Sequence, residues 1–166
     1  MPDFHFITSR LALGGAIGSA EKMQEIAESG ITHIVNLQAE FDDRSIVGDT
    51  GIEVLWIEIT DDFLPKPPTI FWKAVEFTQQ ALRTPRTSVL FHCAAGIHRS
   101  PMVLLAVLRV LGHNSENARH LIAIARSQVD FPPVYIESVE DFYREYLACL
   151  EEAEAPPDSA LSPATE

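Results

Sequence analysis

Nine consecutive residues, His92-Cys93-Ala94-Ala95-Gly96-Ile97-His98-Arg99-Ser100, constrain this chain more than any other stretch. They lie between a short apolar run at 88–91 and a long one at 101–111, and so read as a strand, a tight loop and a helix start. A loop entering a helix N-terminus gathers backbone N–H groups and the positive end of the helix dipole in one small space, which favours a phosphate-sized anion. Gly96 permits the turn. Cys93 opens the loop, and an electropositive loop of this kind is where a cysteine acts as a nucleophile. Arg99 adds a planar fork that grips two phosphoryl oxygens at once, and Ser100 offers a hydroxyl to the cysteine sulfur. The plain alternative is a glycine turn beside a buried cysteine, a common fate of that residue.

The remainder alternates strand and helix patterns. Residues 4–7 and 11–13 read as an edge hairpin. Ser19, ahead of Glu21 and of Met23, Ile26 and Ala27 at helical spacing, predicts a capped helix over 19–29 that Gly30 ends. The β-branched run 31–37 reads as a parallel strand buried on both faces. Residues 40–51 are polar and acidic and read as an exposed connection with solvated charges. A strand over 52–59 leads into a proline-dense loop that starts Thr60-Asp61-Asp62, and Phe71, Val75, Thr78 and Leu82 mark one face of a helix over 69–83. The helix over 101–111 is apolar nearly all round and belongs in the core. After Gly112, Ser115 is expected to cap a helix bearing Ala118, Leu121, Ile122 and Ala125 on one face. Past the rigid turn Asp130-Phe131-Pro132-Pro133, a last amphipathic helix carries Ser138 and Asp141 spaced as a capping box near its start. This order implies an α/β fold, a mostly parallel central sheet of about four or five strands flanked by helices. Ligands bind such sheets beyond the carboxyl ends of the strands, where Cys93 and the Asp61-Asp62 loop both fall.

A length of 166 residues suits one domain, taken as 1–150, and the Ala-, Pro- and acid-rich stretch 151–166 reads as a disordered tail. Two cysteines, Cys93 and Cys149, make no disulfide framework, which points to the reducing cytoplasm. No signal peptide or membrane span is expected, since the N-terminus lacks a basic-then-apolar pattern and the most apolar segment is short and holds Arg109. The formal net charge of -12 argues against a nucleic-acid partner and leaves any anionic substrate to a local pocket working against the overall field. No Cys, His and carboxylate set has metal-ligand spacing, so neither metal nor cofactor is expected.

The pattern H-C-x-x-x-x-x-R-[ST] at 92–100 resembles the signature of the cysteine-dependent protein tyrosine phosphatase superfamily. Ser100-Pro101, with L-A-L-G-G at 11–15 and G-I-T-H-I-V-N-L at 30–37, makes the chain most similar to the dual-specificity branch. The resemblance implies a protein tyrosine phosphatase-like fold and a phosphoester hydrolase. It would act on phosphotyrosine, and on phosphoserine or phosphothreonine, through a cysteinyl-phosphate. It casts Cys93 as nucleophile, Ser100 as support for the sulfur and His92 as the residue that orients the cysteine. Ala94, Ala95, Gly96, Ile97, His98 and Arg99 would hold the phosphoryl group.

The family carries its general acid one helix earlier, which makes Asp61 and Asp62 the candidates. A gap-free register counted from A-V-E-F-T-Q-Q-A-L at 74–82 favours Asp61, and the local Asp-Phe-x-Pro pattern favours Asp62. We take Asp62 as the first choice, with Asp61 then a surface or capping carboxylate; the alternative makes both of them turn residues. His98 stands where many such loops carry serine, and either lines the pocket rim, making binding depend on pH, or faces solvent. Phosphoinositide-directed relatives carry basic residues where Ala94 and Ile97 stand, so phosphorylated protein ranks ahead of a phosphoinositide or sugar phosphate. A phosphate-binding scaffold with little turnover is a competing reading. So is arsenate reduction, which needs a second thiol near Cys93; only Cys149 is available, and its helix position suggests a small buried residue.

Overall fold

Successive strand residues point to opposite faces of a sheet, and that alternation divides the core of this chain in two. The computed structural model describes residues 1–155. Within them β1 (Phe4–Phe6), β2 (Leu11–Gly14), β3 (His33–Gln38), β4 (Glu53–Ile59) and β5 (Val89–His92) form one five-stranded sheet in the order β1-β2-β5-β3-β4. Strand β1 pairs antiparallel with β2 at one edge, and every other pairing is parallel. Leu11, Leu13, Val35, Leu37, Val89 and Phe91 face one side of the sheet, while Ala12, Ile34 and Leu90 face the other.

Helix α1 (Ala20–Glu28) covers the second face with Met23 and Ile26. Its first turn is closed by Ser19, which accepts from the Lys22 N–H at 3.2 Å. The first face carries α2 (Pro68–Leu82), α3 (Arg99–Val110), α4 (Ser115–Ala125) and α5 (Pro133–Glu154), with α3 packed on β2 and β5 and enclosed by the other three. That enclosure explains the all-round apolar pattern: residues 99–108 are buried without interruption. The α/β class and the largely parallel five-stranded sheet are as the sequence implies.

Several local readings change. Helix α3 starts at Arg99, so Arg99 and Ser100 belong to its first turn instead of preceding it. Asn114 caps α4, accepting from the Asn117 N–H at 2.8 Å, while Ser115 is already helical. Helix α5 starts at Pro133, where a missing N–H costs nothing, so Ser138 lies inside it and donates to the Val134 carbonyl at 2.9 Å. The helix continues to Glu154, which makes the first four residues of the expected tail helical; Ala155 caps it, and 156–166 lie outside the described residues. Cys149 is exposed on α5, not buried. The connection after β3 is not simply solvated either: a 3-10 turn at Asp43–Ser45 buries Asp43 completely. No helix of the described residues is long and apolar enough to cross a membrane.

The strand order decides what can meet. Because β3 lies between β5 and β4, the segment after β3 is wedged between the Cys93 loop and the Asp61-Asp62 loop. Gly14 and Gly15, at the end of β2, flank the Cys93 loop on its other side.

Candidate active site

Strand β5 delivers Cys93 to the carboxyl edge of the sheet, and residues 94–98 turn back into α3. The turn is inside out. The carbonyls of Ala94, Gly96 and Ile97 accept from Ala16 N–H (2.9 Å), Arg126 Nε (2.9 Å) and Asp130 N–H (2.9 Å), and that of Ala95 accepts from Arg126 Nη2 at 3.0 Å. Among the described residues, no N–H of residues 94–98 donates to a protein acceptor. Holding carbonyls outward turns successive amides inward, which makes an anion-binding nest at the helix N-terminus. Gly96 has φ +69, and a Cβ there would stand 2.6 Å from Arg126 Nη2 and 2.7 Å from the Gly14 carbonyl. Only glycine fits such a position.

Arg126 was not singled out in the sequence. It leaves the C-terminus of α4, is 1% exposed, and pairs Nη1 and Nη2 with both carboxylate oxygens of Asp3 at 2.8 and 2.9 Å. His5 Nδ1 lies 3.2 Å from Nη1. Hydrogen bonding from Arg126 holds the Asp3 carboxyl below its ordinary pKa, against an opposing effect of burial.

Within the loop, Cys93 is 2% exposed with Sγ 3.3 Å from Ser100 Oγ, and Ser100 Oγ lies 3.3 Å from the Gly14 carbonyl. His92 sits behind Cys93. Its Nδ1 is 3.3 Å from the Cys93 carbonyl and its Nε2 is paired with Asp43 Oδ2; both side chains are fully buried. Asp43 Oδ1 has no partner among the described residues. Arg99 Nη1 donates to the Ile59 carbonyl at 2.9 Å, while Nη1 and Nη2 reach Glu40 at 3.2 and 2.9 Å. Burial works against the Arg99 charge, but the hydrogen bond to Glu40 and the charges of Cys93, Glu40 and Asp61 prevail and raise its pKa above the ordinary arginine value. Asp43 thus departs from the solvated reading of 40–51, and Glu40, itself exposed, reaches Arg99, while most of that connection is exposed as expected. The aiming device is Asn36, buried in β3, whose side chain accepts from Gln38 N–H (2.9 Å) and donates to the Phe41 carbonyl (2.8 Å).

The two acidic candidates part company. Asp61 Oδ1 accepts from the Tyr135 hydroxyl at 2.9 Å, and its Oδ2 lies 2.9 Å from His98 Nδ1 on the nucleophile loop. Asp62 instead accepts from the Leu64 N–H at 3.1 Å and from Lys66 Nζ at 2.5 Å. Those contacts hold its carboxyl below the ordinary value, Lys66 first and the Leu64 N–H second. The Asp-Phe-x-Pro pattern that recommended Asp62 therefore marks a turn cap. Tyr135 also accepts the Phe63 N–H at 3.1 Å, and Ser138 accepts the Lys66 N–H at 2.9 Å, so α5 tethers the acidic loop. Burial, with the Asp61 hydrogen bond and the Asp61 and Asp62 charges, pushes Tyr135 up to about 12 against the Phe63 N–H. His98 occupies the N-cap position of α3 without a side-chain capping bond, and it does not face solvent alone: besides Asp61 it meets Asp130 Oδ2 at 3.2 Å. Among the described residues no group of three or more His, Cys, Asp or Glu is placed to hold a metal ion.

A buried cysteine, a turn whose carbonyls are bonded outward and an arginine in the first helical turn thus sit together at the carboxyl edge of an α/β sheet. A family model described as the dual specificity phosphatase catalytic domain matches residues 14–145, and the chain belongs to that family, within the cysteine-dependent protein tyrosine phosphatases. Dual specificity protein phosphatase 13B of Mus musculus is 34% identical over 108 residues, covering 60% of this chain and 52% of that protein. The chain thus spans about half the length of the curated relatives it matches. The solved structure of PTPMT1 in complex with PI(5)P superposes with a TM-score of 0.78 at 21% identity, covering 89% of this chain and 98% of that one. Human DUSP28 gives 0.76 at 20% identity, with 89% and 97% covered. Both likenesses establish the shared fold.

Proposed function

We propose that the chain is a cysteine-dependent phosphoester hydrolase acting on phosphorylated protein, phosphotyrosine foremost and phosphoserine or phosphothreonine with it. The observation that carries this reading is the meeting of two loops. The nest with Cys93 and Arg99 faces a carboxyl group, Asp61, that reaches across from the loop after β4. Arg99 Nε is buried and unpartnered among the described residues, which leaves that donor, with the amides of Ala94, Ala95, Gly96, Ile97 and His98, for phosphoryl oxygens.

Chemistry then proceeds in two steps. The Cys93 thiolate attacks phosphorus, forming the S–P bond as the bond to the leaving oxygen breaks; that oxygen takes the Asp61 carboxyl proton. Water next attacks the cysteinyl-phosphate and gives a proton back to Asp61. The S–P bond breaks, releasing inorganic phosphate. Ser100 Oγ supports the sulfur as it leaves, and His92, held by Asp43, orients the cysteine from behind. Asp61 replaces Asp62 as the general acid in this reading, since Asp62 is committed to Lys66. The cytoplasm suits a reaction that needs Cys93 as a free thiol.

A second reading, hydrolysis of a phosphoinositide, draws support from the likeness to PTPMT1 solved with PI(5)P. The uncharged side chains at Ala94, Ala95 and Ile97 weigh against a headgroup carrying several phosphates. Burst kinetics with p-nitrophenyl phosphate in chelator, with mass detection of the phosphocysteine, test the chemistry. A burst lost in Cys93→Ser supports it; steady turnover by Cys93→Ser refutes it. Phosphopeptides and phosphoinositides assayed side by side decide the substrate.

A further inference from the structure

His98 is placed between two carboxylates. Its Nδ1 lies 2.9 Å from Asp61 Oδ2 and its Nε2 lies 3.2 Å from Asp130 Oδ2. Phe63 stands edge-on to the imidazole with ring centres 5.1 Å apart, which, with the two carboxylates, fixes the ring plane. An ionised carboxylate only accepts hydrogen bonds. For the 3.2 Å contact to be a hydrogen bond, the nitrogen facing Asp130, which is two-thirds exposed, must carry its hydrogen, leaving Nδ1 turned to Asp61. A lone pair set against a carboxylate oxygen at 2.9 Å is repulsive, so one proton lies on this second contact as well. It sits either on Nδ1, as imidazolium beside carboxylate, or on Oδ2, as carboxylic acid beside neutral imidazole.

We propose that His98 is a positioning residue that holds the acid proton jointly with Asp61, while Asp130 fixes its tautomer. The inference rests on Asp61 being the general acid. Two groups that share one proton titrate as a pair, so the proton belongs to the contact between Asp61 and His98 and not to either residue alone. When the leaving oxygen departs, the pair gives up one proton and becomes carboxylate beside neutral imidazole, with Nε2–H still on Asp130. Attacking water returns one proton to the same pair, which ends as it began. The other ionisable groups around His98 are Tyr135, which donates to Asp61 from α5, Lys66, occupied by Asp62 and 5.6 Å above the Tyr135 ring, and Cys93 and Arg99 on its own loop. None of these touches the imidazole nitrogens, whose partners among the described residues are Asp61 and Asp130.

The test compares the wild-type chain with His98→Asn, Asp130→Asn and Asp61→Asn. It reads kcat against pH for phenyl phosphate, whose leaving group needs a proton, and for p-nitrophenyl phosphate, whose leaving group hardly does. His98→Asn should lower kcat on phenyl phosphate by about tenfold or more at neutral pH, with a much smaller loss on p-nitrophenyl phosphate. Its alkaline limb should move to lower pH. Asp130→Asn, a surface change, should do the same more weakly, by about two- to fivefold. Inhibition by inorganic phosphate should stay at the wild-type level in Asp130→Asn. An unmoved alkaline limb in Asp130→Asn and in whatever folded His98→Asn is obtained overturns the inference; if His98→Asn fails to fold, Asp130→Asn decides alone. Should Asp61→Asn itself leave phenyl phosphate turnover unchanged, the general-acid reading falls, and this inference with it. A loss in Asp61→Asn with unmoved limbs elsewhere removes the inference alone.

Discussion

Asp3 and Arg126, 123 residues apart in the chain, meet through two hydrogen bonds of 2.8 and 2.9 Å, and the same guanidinium grips the back of the nucleophile loop. The N-terminal strand is thereby part of the site's foundation. Asp3 titrates below its ordinary value because Arg126 bonds it. A folded-state pKa below the unfolded one contributes stability above the unfolded value, and that contribution is lost as pH falls through the folded value. The loss should therefore appear below about pH 4. Asp3→Asn should cost about 1 kcal/mol at pH 7, a figure kept small because the carboxylate is half exposed. Urea denaturation of both proteins between pH 7 and pH 3 checks this: the gap between them should close on the acid side.

Arg126→Lys keeps the charge but not the fork. One ammonium cannot serve the Ala95 and Gly96 carbonyls and both Asp3 oxygens together. A loss of about 2 kcal/mol is expected, with weaker competitive inhibition by inorganic phosphate as the nest loosens. Gly96→Ala attacks the same contact from the other side, since its Cβ would collide with Arg126 and with the Gly14 backbone at a φ of +69. The two variants should be far from additive; additive losses would separate the arginine from the turn.

Removing the carboxylate behind His92 tests the segment after β3. Asp43→Ala leaves the buried His92 Nε2 without its partner, at a cost of about 1–3 kcal/mol. Turnover should fall further than stability explains, because His92 also touches the Cys93 carbonyl at 3.3 Å. A variant stable to within experimental error of wild type, with full turnover, would remove Asp43 from the site.

Tyr135 and Asp62 should behave oppositely. Tyr135→Phe deletes the donor to Asp61 and the acceptor for the Phe63 N–H, and should reduce kcat on phenyl phosphate by about tenfold. With a pKa pushed up to about 12, the hydroxyl stays protonated throughout the assay range, so the alkaline limb should persist in that variant. Asp62→Asn, at an exposed ion pair with Lys66, should stay within about twofold of wild type. A large loss in Asp62→Asn with none in Asp61→Asn would reverse the assignment.

Some of the site was legible in one dimension because its parts are contiguous. Cys93, Gly96, Arg99 and Ser100 lie within one strand-loop-helix unit, where local spacing determines geometry. Asp61 and Asp62 were placed in the loop after β4, with Asp62 preferred on local pattern alone, since neighbours in sequence differ only in what their side chains reach. Asp62 meets Lys66, four residues on, while Asp61 meets Tyr135, 74 residues on. The acidic run at 40–51 misled for a related reason. Charged residues in a connection are normally solvated, and only the position of β3 between β5 and β4 turns Asp43 inward and brings the exposed Glu40 to Arg99. Arg126 and Asp3 gave no local signal at all, because an arginine near a helix C-terminus is ordinary.

By itself, then, the sequence determined what short-range periodicity and loop chemistry determine: the α/β class, the sheet with its two apolar faces, and a cysteine at the head of a tight turn that enters a helix. Tertiary structure decided which carboxylate meets the loop, what backs the nucleophile and what holds the turn open. Those choices depend on strand order and on which helix passes over which loop, so the partners are distant in sequence and brought together only by packing. His98 shows the difference at one residue: its place in the loop was evident from the chain, and its two carboxylate partners, from the loop after β4 and the turn before α5, exist only in the fold.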